Sequence, residues 1–139
     1  MSIWKNKLTP DEAREFSRDT MVEYLGMQIV DIGEDSVTAT MPVDHRTRQP
    51  YGLLHGGASV ALAETVGSFA AHMTLDPGYR CVGLEINANH LRSKTEGMVT
   101  GTARPIHIGH STQIWDIRIA DEADRLICVS RLTLAVLKP

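Results

Sequence analysis

The chain is poor in cysteine, in long apolar runs and in excess charge. Two cysteines, Cys81 and Cys128, among 139 residues make no disulfide framework; both fall in strand-like runs, so buried reduced thiols are expected. No run reaches the roughly 18 apolar residues of a membrane span. The opening Met-Ser-Ile-Trp-Lys-Asn-Lys has no hydrophobic signal core, so a cytoplasmic protein without a membrane partner is expected. A net charge of −3 argues against general nucleic-acid binding. Gly-x-Ser-x-Gly is absent, which removes the serine nucleophile of the α/β-hydrolases. His107 and His110 have no cysteine or carboxylate cluster beside them, so no metal is expected. There is no internal repeat, linker or low-complexity stretch. Residues 1–139 read as one domain, long enough to bury roughly 68% of its unfolded surface.

What is present reads as short elements around one long one. Thr9-Pro10-Asp11-Glu12 has the form of a capping box, predicting a helix to about Ser17 or Arg18. Residues 20–25 predict another helical turn, broken by Gly26. Residues 27–31 and 36–43 predict two strands, and Pro42 suits the end of the second. Asp44 to Arg48 is a polar loop, and the long helix follows. Residues 80–91 alternate, with Val82, Leu84, Ile86 and Ala88 on one side and Glu85, Asn87 and Asn89 on the other. Residues 98–106, 112–120 and 125–137 predict three more strands, Gln113, Trp115, Ile117 and Ile119 sharing a face. Short connections predict that the last four strands form an antiparallel meander.

The chain is organised around Gln49 to Ser68. Pro50, Gly52, Gly56 and Gly57 make the approach turn-rich, and from Ala58 to about Met73 the residues are nearly all small or aliphatic. A helix apolar all round is normally buried. Glu64 stands in its middle, and burying a carboxylate costs roughly several kcal/mol unless it is paired or protonated. At the helix start, Gly56 and Gly57 allow close approach to the backbone. The first N–H groups there carry the positive end of the helix dipole and can hold an oxygen that is becoming negative. His55 and Gln49 stand just before it as further donors. An oxyanion site, a carboxylate and polar positioning groups together read as acyl-transfer machinery.

Gln49-Pro50, Gly52-Leu53-Leu54-His55-Gly56-Gly57-Ala58 and Ala63-Glu64 resemble the active-site segment of the hotdog-fold acyl-CoA thioesterases. The likeness extends to Ala39–Asp44, Gly83–His90 and Ser130–Thr133, and covers about residues 24–137. Within that family it points to the PaaI-like enzymes that hydrolyse 1,4-dihydroxy-2-naphthoyl-CoA in menaquinone synthesis or proofread the enterobactin pathway. The resemblance implies an α+β fold, an antiparallel sheet of about six strands wrapped around one long central helix. It implies that Glu64 attacks the thioester carbonyl or activates water to do so; both routes stay open. Gln49, His55 and the Gly56 N–H would hold the thioester oxygen. Ser68, four residues after Glu64 on the same face, would orient it or the water. His90, Arg92 and Ser93, followed by Lys94, would lie along the coenzyme A groove, where cations suit its phosphates. Phe69 would line the acyl pocket. Water and a carboxylate suffice, so no cofactor is implied; coenzyme A is part of the substrate. A homodimer with shared active sites, paired into a homotetramer, is expected.

Three other readings compete. A housekeeping or proofreading thioesterase on acyl-CoA or acyl carrier protein would use the same residues. A non-catalytic acyl-CoA sensor would be favoured by an added DNA-binding segment, which 139 residues leave no room for. A hydratase of the same fold would call for a paired Asp and His, which Glu64 fits less well.

Overall fold

In the computed structural model, which describes residues 1–139, Thr9 Oγ1 accepts the Glu12 N–H and the Glu12 carboxylate accepts the Thr9 N–H. That box starts α1 (Pro10–Phe16), and α2 (Met21–Tyr24) follows. The strands are β1 (Gln28–Ile32), β2 (Val37–Val43), β3 (Arg80–His90), β4 (Gly97–Ile108), β5 (Thr112–Ala120) and β6 (Leu126–Leu137). Between β2 and β3 runs α3 (Gly56–Met73), two residues earlier in onset than its composition suggests. No helix is long and apolar enough to cross a membrane.

All six strands form one antiparallel sheet in the order β1-β2-β4-β5-β6-β3. The sheet packs on α3 through alternate side chains. Val37, Ala39, Met41 and Val43 of β2 are buried, as are Gln113, Trp115, Ile117 and Ile119 of β5. Gln113 is spent internally, accepting from Trp115 Nε1 and donating to Thr74 Oγ1, each at 2.8 Å.

Three expectations need correction. The meander holds for β4, β5 and β6 only; β3 lies beyond β6 at the sheet edge, and β4 pairs with β2. From the sheet order, the link of residues 91–96 must cross two strands. Three strand spacings of about 4.8 Å make about 14 Å, and six extended residues reach about 20 Å. A connection that looks like a hairpin is therefore long enough to be a crossover. Second, β3 does not alternate uniformly. A bulge between Gly83 and Glu85 shifts its register, so Cys81, Ile86 and Ala88 pack on the core while Val82 and Leu84 are exposed. Cys81 is accordingly half-buried, and desolvation raises the pKa of both its thiol and that of Cys128. Third, α3 is not enclosed all round. Ser59, Leu62, Ala63, Val66, Gly67 and Ala70 are buried against the sheet, but Ala61, Glu64, Thr65 and Ser68 are half-exposed. Small side chains made both faces look alike in the sequence.

Candidate active site

The loop before α3 is built to deliver Gln49. Asp44 takes the Arg46 guanidinium at 2.7 Å on Oδ2 and the Arg46 N–H at 2.9 Å on Oδ1. Thr47 Oγ1 donates to Pro42 O, and His55 N–H donates to Thr47 O. Gln49 and Leu53 then close a tight turn, Gln49 N to Leu53 O at 2.7 Å, with Gly52 at φ 82° where a side chain would be strained. Gln49 Oε1 accepts the Tyr51 N–H, which leaves the amide nitrogen as the free end.

The guanidinium first, and the Arg46 N–H second, hold the Asp44 carboxyl down to about 2 from 3.8. A carboxyl lowered in the folded state stabilises fully above its unfolded pKa and loses that contribution as pH falls through the folded one. Melting temperature measured from pH 5 to pH 2 is therefore expected to fall more steeply in the parent than in Asp44→Asn, mainly between 3.8 and about 2. Parallel curves would show that Asp44 does not hold this loop.

His55 is the N-cap of α3: its Nδ1 accepts the Gly57 N–H at 2.8 Å. The ring is therefore an acceptor at Nδ1, and its neutral form carries its proton on Nε2. The Ala58 and Ser59 N–H groups both go to His55 O. Of the donors at the head of this helix, only the Gly56 N–H has no partner in the chain. The sequence suggests a set of free N–H groups here; His55 uses up the rest.

The crossover brings the second half of the site to the same place. Leu54 N–H donates to Lys94 O, and Leu91 N–H to Ile127 O, so residues 91–94 run past the start of α3. His90 packs onto Gly56 so closely that a Cβ there would lie 2.9 Å from His90 Nε2. Gln49, Leu54, Gly56, His90, Arg92 and Ser93 thus line one open groove of about 330 Å³. Arg92 forms no ion pair in the chain and is exposed, which leaves its guanidinium free at the groove. Lys94 is not available in that way. It is paired with Glu122, whose carboxyl is held down to about 2 by Lys94 and by the Met98 N–H.

A profile of the Thioesterase superfamily matches residues 51–128, which span α3, most of the sheet and every groove-lining residue but Gln49. The 1,4-dihydroxy-2-naphthoyl-CoA hydrolase of Escherichia coli (strain K12) is 51% identical over 135 residues, covering 97% of this chain and 99% of that protein. The chain belongs to the thioesterase superfamily. The proofreading thioesterase EntH of Cronobacter sakazakii is 50% identical over 135 residues, 97% of this chain and 98% of that protein. A thioesterase crystal structure from Haemophilus influenzae superposes with a TM-score of 0.96 at 51% identity, over 98% of this chain and 95% of that one. The architecture is the hotdog fold of the superfamily, and the protein is a thioester hydrolase.

The remaining candidate residues divide. Glu64 is half-buried rather than buried, forms no hydrogen bond or ion pair in the chain, and lies outside the groove. Ser68, a turn further on, is half-buried and has no hydrogen-bond partner in the chain. Phe69 also lies outside the groove; its ring meets Phe16 of α1 edge to face at 6.4 Å between centroids. His110 lines a separate cavity of about 240 Å³ with Thr74, Tyr79 and Gln113, and no group of three metal-ligating side chains forms around it. Gly83 was not legible as a site residue. It lies directly over the Glu64 carboxylate, and the signal available in the sequence was its position in the Gly83–His90 run.

Proposed function

We propose that this thioesterase hydrolyses aromatic acyl-CoA, with 1,4-dihydroxy-2-naphthoyl-CoA as the leading substrate. The observation that carries the reading is the single unspent N–H at Gly56, in one groove with the free Gln49 amide and the unpaired Arg92. The Gly56 N–H and the Gln49 amide receive the thioester oxygen as it gains charge. His55, spent at Nδ1 on the Gly57 N–H and absent from the groove lining, acts in this reading by fixing the helix head that presents Gly56. Arg92, with His90 and Ser93, takes the phosphorylated end of coenzyme A. Glu64 then either adds to the carbonyl carbon, expelling the coenzyme A thiolate and leaving an anhydride that water cleaves, or draws a proton from the water that attacks. Ser68 orients the carboxylate or that water. The reaction balances with water alone.

The site in this reading is completed by a second copy. β3 is an eleven-residue edge strand with Val82 48% and Leu84 60% exposed, a ladder open to pairing. Antiparallel pairing of two such edges sets two α3 helices side by side, each offering Glu64 to the other's Gly56. The homotetramer implied by resemblance adds nothing that this chemistry requires.

The substrate class is supported by a relative at 51% identity named for the naphthoyl thioester, and proofreading is supported almost equally by one at 50%. Comparing benzoyl-, naphthoyl- and straight-chain acyl-CoA with acylated carrier protein by kcat/KM tests this. Aromatic acyl-CoA is expected to lead straight chains of similar size. Hydrophobic pockets commonly discriminate by about tenfold or more, so a long-chain acyl-CoA leading by about that factor overturns the aromatic assignment. Preference for acylated carrier protein would favour proofreading instead.

A further inference from the structure

Glu64 needs something to hold it, and hydrogen bonds within the chain do not. A glutamate side chain has about 1.5–2 kcal/mol of rotamer entropy to lose, and an unheld carboxylate attacks poorly. What touches it is Gly83. A Cβ built on Gly83 would collide with Glu64 Oε2 and lie 3.5 Å from its Cδ. A carboxylate oxygen thus fills the space where every other residue of the strand carries a side chain.

The placement follows from the bulge. Gly83 is opposite Leu134 and Glu85 opposite Thr133, so Leu84 is the inserted residue. Bulges bend a strand and re-aim what stands beside them. Here the position of the missing Gly83 Cβ points at the Glu64 side chain of α3, although Gly83 is itself exposed at the strand edge, as are Val82 and Leu84. Backbone strain is not the reason for this glycine, because its φ lies outside the left-handed range. Gly67 makes a useful contrast. Its added Cβ would meet Leu132 Cδ2 at 2.7 Å and Ile117 Cδ1 at 3.3 Å, both aliphatic, so it serves helix–sheet packing.

We propose that Gly83 is a positioning residue: its missing side chain forms the seat that aims the Glu64 carboxylate out of the sheet edge. The proposal rests on Glu64 acting in hydrolysis as described above. With an added methyl the carboxylate must rotate away, and a misplacement of about 1 Å at a reacting group costs on the order of 10²-fold. The steady-state kinetics of the full-length chain on an aromatic acyl-CoA are the readout. Gly83→Ala is expected to lose about 10- to 100-fold in kcat with KM nearly unchanged. Alanine suits a strand better than glycine, so its melting temperature should not explain the loss. Glu64→Asp withdraws the carboxylate by one methylene. It should lower kcat in the parent but raise it in the Gly83→Ala background. Gly67→Ala should lower the melting temperature and spare kcat.

If Gly83→Ala folds poorly, the same contact is read from stability: its loss of melting temperature should vanish in a Glu64→Ala background. Parent-like kcat in Gly83→Ala, with Glu64→Gln inactive, overturns the seat and leaves the role of Glu64 standing. A double variant no better than Gly83→Ala alone, or a stability loss unrelieved by Glu64→Ala, also overturns it. Parent-like kcat in Glu64→Gln removes the reading on which the seat depends.

Discussion

Glu64→Gln is expected to lose at least about 10²-fold in kcat while melting within a few degrees of the parent, since a positioned base or nucleophile is typically worth 10²–10⁴-fold. Glutamine keeps the size and shape of the side chain and removes the charge and the lone pair that attacks or takes a proton. Stability should hold because Glu64 is half-buried and has no hydrogen bond or ion pair within the chain. Its carboxylate contacts Gly83, which a side-chain amide can contact as well. Each tenfold in rate corresponds to about 1.4 kcal/mol of barrier, so the expected loss is about 3 kcal/mol or more. Stopped-flow or thiol-release kinetics with a circular-dichroism melt check both halves. A folded Glu64→Gln protein with near-normal kcat would remove Glu64 from the chemistry.

Mixing two inactive variants is expected to restore activity. α3 is unbroken from Gly56 to Met73, and Glu64 stands eight residues along it from Gly56, about 12 Å along the axis. A glutamate reaches about 4–5 Å, and attack requires an approach of about 3–3.5 Å, so a thioester held at Gly56 is beyond the Glu64 of the same chain. Glu64→Ala removes one half of the site. For the other half, Gln49→Ala is a cleaner choice than His55→Ala. His55 caps α3, and losing a cap costs about 1 kcal/mol of stability on its own. Removing one oxyanion donor costs about 10²–10³-fold, so each variant alone should be nearly inactive. Unfolded and refolded together, a mixed dimer has one site with both residues and one with neither. Activity should then rise well above both parents, towards about half of wild type per mixed dimer by that count. Subunit exchange proven by mass spectrometry with no recovery would disprove the shared site.

The candidate residues from Gln49 to Ser68 were legible because they sit in one stretch and obey local rules. Gly52 takes a positive φ in its turn, His55 precedes two glycines at a helix start, and Glu64 interrupts an apolar helix. The box at Thr9–Glu12, the alternation of β2 and β5 and the long central helix likewise follow from short-range pattern. Facts that depend on residues far apart were not legible. Hairpin and crossover connections of six residues look the same in sequence, because both spans lie within reach of the chain. Only the folded sheet decides that β3 lies beyond β6 and that residues 91–94 therefore pass the head of α3. That choice puts His90 on Gly56 and Arg92 beside Gln49. In the same way, one inserted residue at Leu84 turns Val82 out and Gly83 towards Glu64, although the alternation on paper continues unbroken. Local sequence determined which groups are candidates for the chemistry, since caps, turns and helices are set within a few residues. The tertiary structure decided which of them meet, since that depends on strand order and register, which the backbone settles only when the whole sheet has closed on its helix.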